Sequence, residues 1–467
     1  MPAVNAIRMS IHNYYFGDYK KPGGMKDLLA MAFPMMISTA CDGVMTFTDR
    51  LFLSRVGSEQ MNAALGGGLS YQMLTFFFIG LIGYSTALVA QYYGARDFHH
   101  SPKAGFQAIL VAIAAWPVIL LLKPLMVSLF DVLQFPETQV GYQVDYLNIL
   151  VWGGLFGLLR HTLGCYFTGI GKTRIVMTAT MTAMIVNVIL DYILIFGHYG
   201  MPAMGVRGAA IATVCGSLTA VLMLLSVYFG RWNRTKYQVM KSFRFDWSIM
   251  KKLLHFGYPA GLEFLLNFIA MFVMTGMLQS QGPSEATATT IMFNWDLVSY
   301  IPLLGIEVAV TSLVGRYMGA GRPQVAHRAA LSAIKTGLIY SFIILVLFMV
   351  IPEALVRVFH PETTSDVFEK AVPVAKLMIR FASLYVMAQA VMVAMIGTLR
   401  GAGDTFYTMV VSVLASWAFL PLVYLCLFVF DTNVAIAWLA VILIYMLFCL
   451  VIYRRFRTEK WKKIHVI

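Results

Sequence analysis

A chain of 467 residues that is 59% hydrophobic and only 12% charged, with a mean hydropathy of +0.74, cannot clothe itself in a water-facing surface, because soluble domains carry about 25% charged residues. Its formal charge of +13 lies in short connectors between apolar runs and at the C-terminus, a pattern that argues against a nucleic-acid partner and for a multi-spanning membrane protein. Cys41, Cys165, Cys215, Cys426 and Cys449 sit in or beside apolar segments without paired spacing, so neither a disulfide framework nor a zinc site is expected.

In chain order, residues 1–25 are polar and lack the apolar core of a cleavable signal, leaving the first span to direct insertion. Uncharged runs at 61–95, 104–122, 208–230, 264–284, 336–352, 381–399, 405–430 and 432–453 predict spans, most of them near or above the ~18-residue threshold. Four more, at about 28–54, 140–168, 175–197 and 286–315, are interrupted by Asp42, Asp49, Asp145, Arg160, Asp191, Asp296 and Glu307. The expected fold is therefore an all-α integral membrane protein of twelve transmembrane helices.

The two halves repeat. Phe33-Pro34 recurs as Tyr258-Pro259 and Val89–Ala95 as Val314–Ala320, both at an offset of 225, and Gly169–Thr173 recurs as Gly401–Thr405 at an offset of 232. An even number of helices per copy makes the repeats parallel, related by an axis along the membrane normal. The expected divisions are a cytoplasmic N-terminal segment 1–25, an N-terminal lobe 26–230, a basic linker 231–250, a C-terminal lobe 251–454 and a basic tail 455–467.

Basic residues fall in alternate connectors: Arg96 and Lys103, Lys172 and Arg174, the run from Arg231 to Lys252, Arg316 to Arg328, and Arg400. The connectors around 134–138, 279–284 and 431–433 have none, which predicts a multi-pass cytoplasmic (inner) membrane protein with both termini cytoplasmic. Two similar bundles about one axis suit alternating access, so a transporter is expected rather than a channel or a membrane enzyme. Gly171-Lys172-Thr173 mimics the end of a phosphate-binding loop, but the required earlier glycine is replaced by Tyr166, which argues against ATP as the energy source.

The segments Thr48–Phe52, Asn187–Gly197, Gly205–Thr213 and Leu399–Thr405, in that order along the chain, resemble the multidrug and toxic compound extrusion family over nearly the whole chain. The resemblance implies a V-shaped pair of six-helix lobes that export amphipathic, often cationic compounds, drugs or toxic metabolites, in exchange for H⁺ or Na⁺. In the DinF-like branch it implies a coupling site of one aspartate on helix 1, an Asn and an Asp on helix 5 and a Thr on helix 6, positions that read Asp49, Asn187, Asp191 and Thr213 here. The NorM-like branch adds a Glu on helix 7 and an Asp on helix 10. Here those positions are Asn267 and Gln389, so that carboxylate pair is lacking, while Tyr385 matches.

The residues make their own case for the same site. Asp49 lies six residues before Arg55, Asp191 six before Gly197 and Thr213 six after Arg207, each ~9 Å inside the outer boundary. Asn187 shares the helix face of Asp191 one turn deeper. A carboxylate at that depth costs ~2.5–3.5 kcal/mol unless it faces a cavity, finds a partner or takes up a proton, and an oxygen-only set also suits a hard cation such as Na⁺. Both ions stay open, and the alternative is that Asp49 and Asp191 cap or tie helices. No other cofactor is implied.

Glu263, Asp296 and Gln389 are each about 17 Å from a boundary and are candidates, with Asp42, Asn267 and Tyr385, for a substrate cavity. The structural alternatives are a pairing of Asp296 or Glu307 with Arg380, and a local hydrogen bond for Asp42. Arg160 is expected to partner an acid such as Asp145, His99 and His100 to be solvated, and Gly66-Gly67-Gly68 to permit close helix packing. The 30 Met, 33 Phe and 23 Tyr supply adaptable walls for small amphipathic organic substrates, beside those that face membrane lipids. A monomer is expected. The alternative function is a flippase for lipid-linked saccharide precursors, disfavoured because Arg160 and Arg380 are few against the buried acids.

Overall fold

The computed structural model describes residues 19–132, 137–360 and 366–467; most of the expected N-terminal segment and the connector at 134–136 lie outside them. The described residues fold into long helices: α1 (Met25–Val56), α2 (Ser58–Gly83, resuming after Tyr84 as Ser85–Gly94), α3 (His100–Val132), α4 (Glu137–Gly169), α5 (Thr173–Phe196) and α6 (Val206–Tyr228). The second half repeats the series as α7 (Trp247–Gln279), α8 (Pro283–Gly319), α9 (Pro323–Val350), α10 (Asp366–Ala402), α11 (Thr405–Tyr424, continued by the wider turn Leu425–Val429) and α12 (Val434–Arg457).

Eleven of these are long and apolar enough to cross a membrane. The remaining one, α4, is 33 residues long and carries Asp145 and Arg160. Several helices outrun the uncharged segments that predict them. α10 covers 37 residues where the uncharged run spans 381–399, because intrahelical hydrogen bonding continues through the charged ends into the polar layer. Local chemistry sets the ends: Gly197 adopts φ 76° to close α5, Pro323 opens α9 at its first turn, and the Asn433 side chain accepts the Ala435 N–H at 2.9 Å to cap α12.

The expected linker is ordered. A short helix, Arg231–Lys236, and a 3₁₀ turn, Val239–Lys241, precede α7, which begins at Trp247. The tail is ordered as well, with Trp461 fully buried and stacked on Phe456 at 5.8 Å.

The chain divides into two compact units. One holds the described residues up to Ala32, Leu266–Met318 and Arg322–His465; the other holds Phe33–Leu265 with Gly319–Gly321 and the last two residues. The division falls inside α1, next to Pro34, and inside α7, six residues past Pro259.

Polarity is distributed as a lipid-embedded protein requires. Leu121, Val350 and Phe430 are 79%, 71% and 68% exposed, while Asp49, Asn187 and Asp191 are at most 5% exposed. The unit of α10 and α12 has its apolar centre around Met274, Ile291, Phe348, Met378, Val386 and Trp438.

Candidate functional site

The site in the Phe33–Leu265 unit begins with small residues. α5 buries one stripe of its surface, Val176, Thr180, Ala183, Asn187, Asp191 and Leu194, at the spacing of one helix face. α6 meets it with Gly208, Ala209, Ala212 and Gly216. A Cβ on Gly208 would stand 2.8 Å from the Leu194 carbonyl carbon, and one on Gly216 would stand 3.0 Å from the Ala183 oxygen. Glycine at both positions therefore lets the two backbones approach, which carries Thr213 toward Asn187 and Asp191. α1 is tied to α5 one level further in, where the Ser38 and Thr180 hydroxyls lie 2.9 Å apart.

Asp49 is the centre of the cluster. Thr213 Oγ1 donates to Asp49 Oδ2 at 3.1 Å, and Asn187 Nδ2 donates to Asp49 Oδ1 at 3.4 Å. Asp191 lies close enough to Asp49 to interact with it directly. Both Asp191 carboxylate oxygens and Asn187 Oδ1 are buried without a hydrogen bond of normal geometry among the described residues. The structure thus brings together Asp49, Asp191 and Thr213, which the sequence places at one depth, and Asn187, expected one turn deeper. It adds Tyr146 of α4, 6% exposed, whose hydroxyl faces Asp49, Asp191 and Thr213. Nothing at Tyr146 stands out in sequence, since tyrosine is common in these spans and its charged neighbour Asp145 points elsewhere.

Two carboxylates sharing one buried site demand a positive charge between them, as a shared proton or a bound hard cation. The unpartnered oxygens of Asp191 and Asn187 fit either role, and with Asp49 and the Thr213 hydroxyl they form a set of hard donors of the kind that holds small cations. Tyr146 belongs to a buried apolar cluster with Leu53, Leu150, Ile195 and Val206, so the site adjoins an apolar core.

The other candidates sort differently. Arg160 pairs with Asp42 at 2.6 Å, and not with Asp145, which pairs with Arg207 at 2.9 Å. The reason is geometric: Asp145 and Arg160 are 15 residues apart on one straight helix, about 22 Å along its axis. The pairing proposed for Arg380 is also overturned. Asp296 accepts a hydrogen bond from Tyr385, Glu307 pairs with Arg400, and Arg380 is exposed.

Tyr385 packs edge-on to Trp438 and Tyr445 at 5.8 and 5.6 Å, so Asp296 ends in an aromatic surround. Asn267 donates to Ser412 at 3.2 Å, and Gln389 is buried with its Oε1 unbonded among the described residues. Glu263 is 2% exposed and belongs to the same compact unit as Asp42. His99 is exposed as expected, whereas His100 is held 2.6 Å from Asp97. Gly66 and Gly67 make room for Gln143 and Tyr146, a packing role.

Long spanning helices in repeated halves, with an acidic pair buried among three of them, define an integral membrane transport protein. The MatE family profile matches residues 34–193 and again 259–425, starting at the repeat-related prolines Pro34 and Pro259, and the chain belongs to that family, the multidrug and toxic compound extrusion transporters. It is a transporter and not an enzyme.

It is 28% identical over 446 residues, 93% of each chain, to a protein named probable multidrug resistance protein NorM from Thermotoga maritima. It is 27% identical over 406 residues, 86% of this chain and 83% of the relative, to multidrug resistance protein PmpM of Pseudomonas aeruginosa. A crystal structure described as MATE in complex with MaL6 superposes with a TM-score of 0.85 at 20% identity, covering 94% of this chain and 97% of that one. One described as the outward-facing conformation of a multidrug resistance MATE family transporter of the MOP superfamily gives 0.81 at 19% identity, over 93% and 95%. At these identities the structures establish the fold, which is the two-repeat MATE fold.

Proposed function

We propose that this transporter is a multidrug exporter driven by an inward-moving cation, H⁺ or Na⁺, which binds at Asp49, Asn187, Asp191 and Thr213. The observation that carries the reading is the burial of Asp191 beside Asp49, with neither Asp191 oxygen in a hydrogen bond of normal geometry among the described residues, an arrangement that stays folded at low cost only when a positive charge joins it. The names of the NorM and PmpM relatives support amphipathic drugs or toxic metabolites as cargo. The four coupling positions support kinship with the DinF-like branch at this site.

Binding of the ion would neutralise the cluster and alter the packing of α1 on α5 and α6. It can bias the inward–outward balance only by its differential affinity for the two states. Asp42, Glu263, Asn267, Asp296, Tyr385 and Gln389 are the proposed substrate contacts, with Asp296 in its aromatic surround best suited to a cationic group. The distribution of Lys and Arg supports insertion in the cytoplasmic membrane with both termini inside.

The deciding experiment is ethidium flux in proteoliposomes under imposed proton or sodium gradients. Efflux that follows one gradient and vanishes with Asp49→Asn supports the proposal; efflux indifferent to both gradients overturns it.

A further inference from the structure

The segment joining the repeats carries seven basic residues between Arg231 and Lys252 against one acid, Asp246. Its backbone is pinned. Gln107 of α3, fully buried, donates through Nε2 to the Arg244 carbonyl at 3.0 Å and accepts the Asp246 N–H through Oε1 at 3.4 Å. Lys103 reaches Asp246 at 3.7 Å. Asn233, Tyr237 and Val239 are buried beneath the segment.

The pinning sets a depth. Gln107 is one turn beyond Lys103, the last charge before the apolar run of α3, so the linker is held where hydrocarbon gives way to headgroups. Phe243 adds a second anchor, stacked on Phe229 at the end of α6 at 5.8 Å and edge-on to Phe106 of α3 at 5.0 Å.

From this fixed strap the outward side chains are of two kinds. Met240, Phe245, Trp247 and Trp232 are 54%, 60%, 62% and 42% exposed, a costly arrangement in water and the preferred one for aromatic rings at a membrane interface. Arg231, Arg234, Lys236, Lys241 and Arg244 are exposed among them. Lys172 and Lys236 sit over the Trp232 ring at 4.9 and 5.6 Å, which holds ammonium groups beside an exposed aromatic ring.

We infer that the inter-repeat strap Arg231–Trp247 is a docking surface for anionic phospholipid headgroups of the leaflet it faces, with Trp232, Phe245 and Trp247 entering the interface and the bases engaging the phosphates. Charge complementarity selects this occupant: a zwitterionic lipid offers no net charge to so basic a strip, and a soluble acidic partner would leave the aromatic rings without an apolar phase.

The test uses the full chain reconstituted in phosphatidylcholine vesicles containing either dibrominated phosphatidylglycerol or dibrominated phosphatidylcholine at equal fraction, read by tryptophan quenching. The Trp232→Phe/Trp247→Phe variant isolates the signal of these two rings. Their quenching by the brominated phosphatidylglycerol is expected to be about threefold stronger than by the brominated phosphatidylcholine. Raising salt to ~0.5 M erases that preference, because the charges are screened. The combined Arg231→Gln, Arg234→Gln, Lys236→Gln, Lys241→Gln and Arg244→Gln variant loses it, and Arg231→Lys/Arg234→Lys/Arg244→Lys keeps it.

Equal quenching by the two lipids in the wild type, a preference that persists at high salt, or displacement of lipid by soluble polyglutamate would each overturn the inference. Transport does not enter the readout, so the outcome is independent of the ion-coupling proposal.

Discussion

The hydroxyl of Thr213 reaches the carboxylate of Asp49 at 3.1 Å across 164 residues of sequence, and this contact joins α6 to α1 at the level of the acidic pair. Neither side chain makes a site alone. Together with Asn187 and Asp191 they form the one place among the described residues of this unit where two carboxylates approach each other in an apolar setting.

Asp49→Asn and Asp191→Asn are each expected to lower gradient-driven ethidium efflux by at least tenfold, about the loss that removal of a ligand-supporting group causes. Both variants should remain folded, since neutralising one carboxylate relieves the repulsion that the cation otherwise offsets. Proteoliposome flux with a parallel check of membrane insertion measures this, and wild-type efflux by both variants would refute the coupling role.

Thr213→Val removes a hydrogen bond to a charged acceptor while keeping the side-chain shape. The expected loss is about 1.5 kcal/mol of ion affinity, roughly tenfold in the half-saturating cation concentration. Thr213→Ser keeps the donor and should stay near wild type. A titration of efflux against the driving cation separates the two, and equal behaviour of Val and Ser would assign Thr213 to packing alone.

Gly208→Ala places a Cβ 2.8 Å from the backbone of Leu194, where no flexible side chain can yield. A stability loss of about 1–3 kcal/mol is expected from overpacking. Efflux should fall with it, because α6 carries Thr213. Gly141→Ala, with nothing within 4 Å, is the matched control and should change neither. Thermal unfolding in detergent reads the difference.

Asp42→Ala and Arg160→Ala each leave a partner unpaired at a site that is only part-buried, so a coupling energy of about 1 kcal/mol or less is expected from the double-mutant cycle. A coupling near zero would show that solvent or lipid headgroups already satisfy both ends.

Much of this architecture was legible in the chain. The spans follow from apolar runs, and the repeats from paired motifs such as Phe33-Pro34 with Tyr258-Pro259. The clustering of Asp49, Asp191 and Thr213 was legible because charge in an apolar run is rare, and because each lies six residues from a recognisable helix-end marker.

Pairings across helices were not legible. An acid such as Asp145 is an expected partner of Arg160, yet helical rise keeps the two apart along α4 and Arg160 pairs with Asp42 on α1. Tyr146, Gln107 and the Ser38–Thr180 contact carry no signal above the background of ordinary spanning residues.

The amino-acid order by itself determined that the protein is helical and spans a membrane many times, because hydropathy is a property of one segment at a time. Only the tertiary structure decided which acid meets which base, that Asp191 lies buried beside Asp49, and that the basic linker is strapped to α3 through Gln107. Those outcomes depend on how closely two helix backbones approach, and that is set by mutual packing at residues such as Gly208 and Gly216, which no single segment encodes.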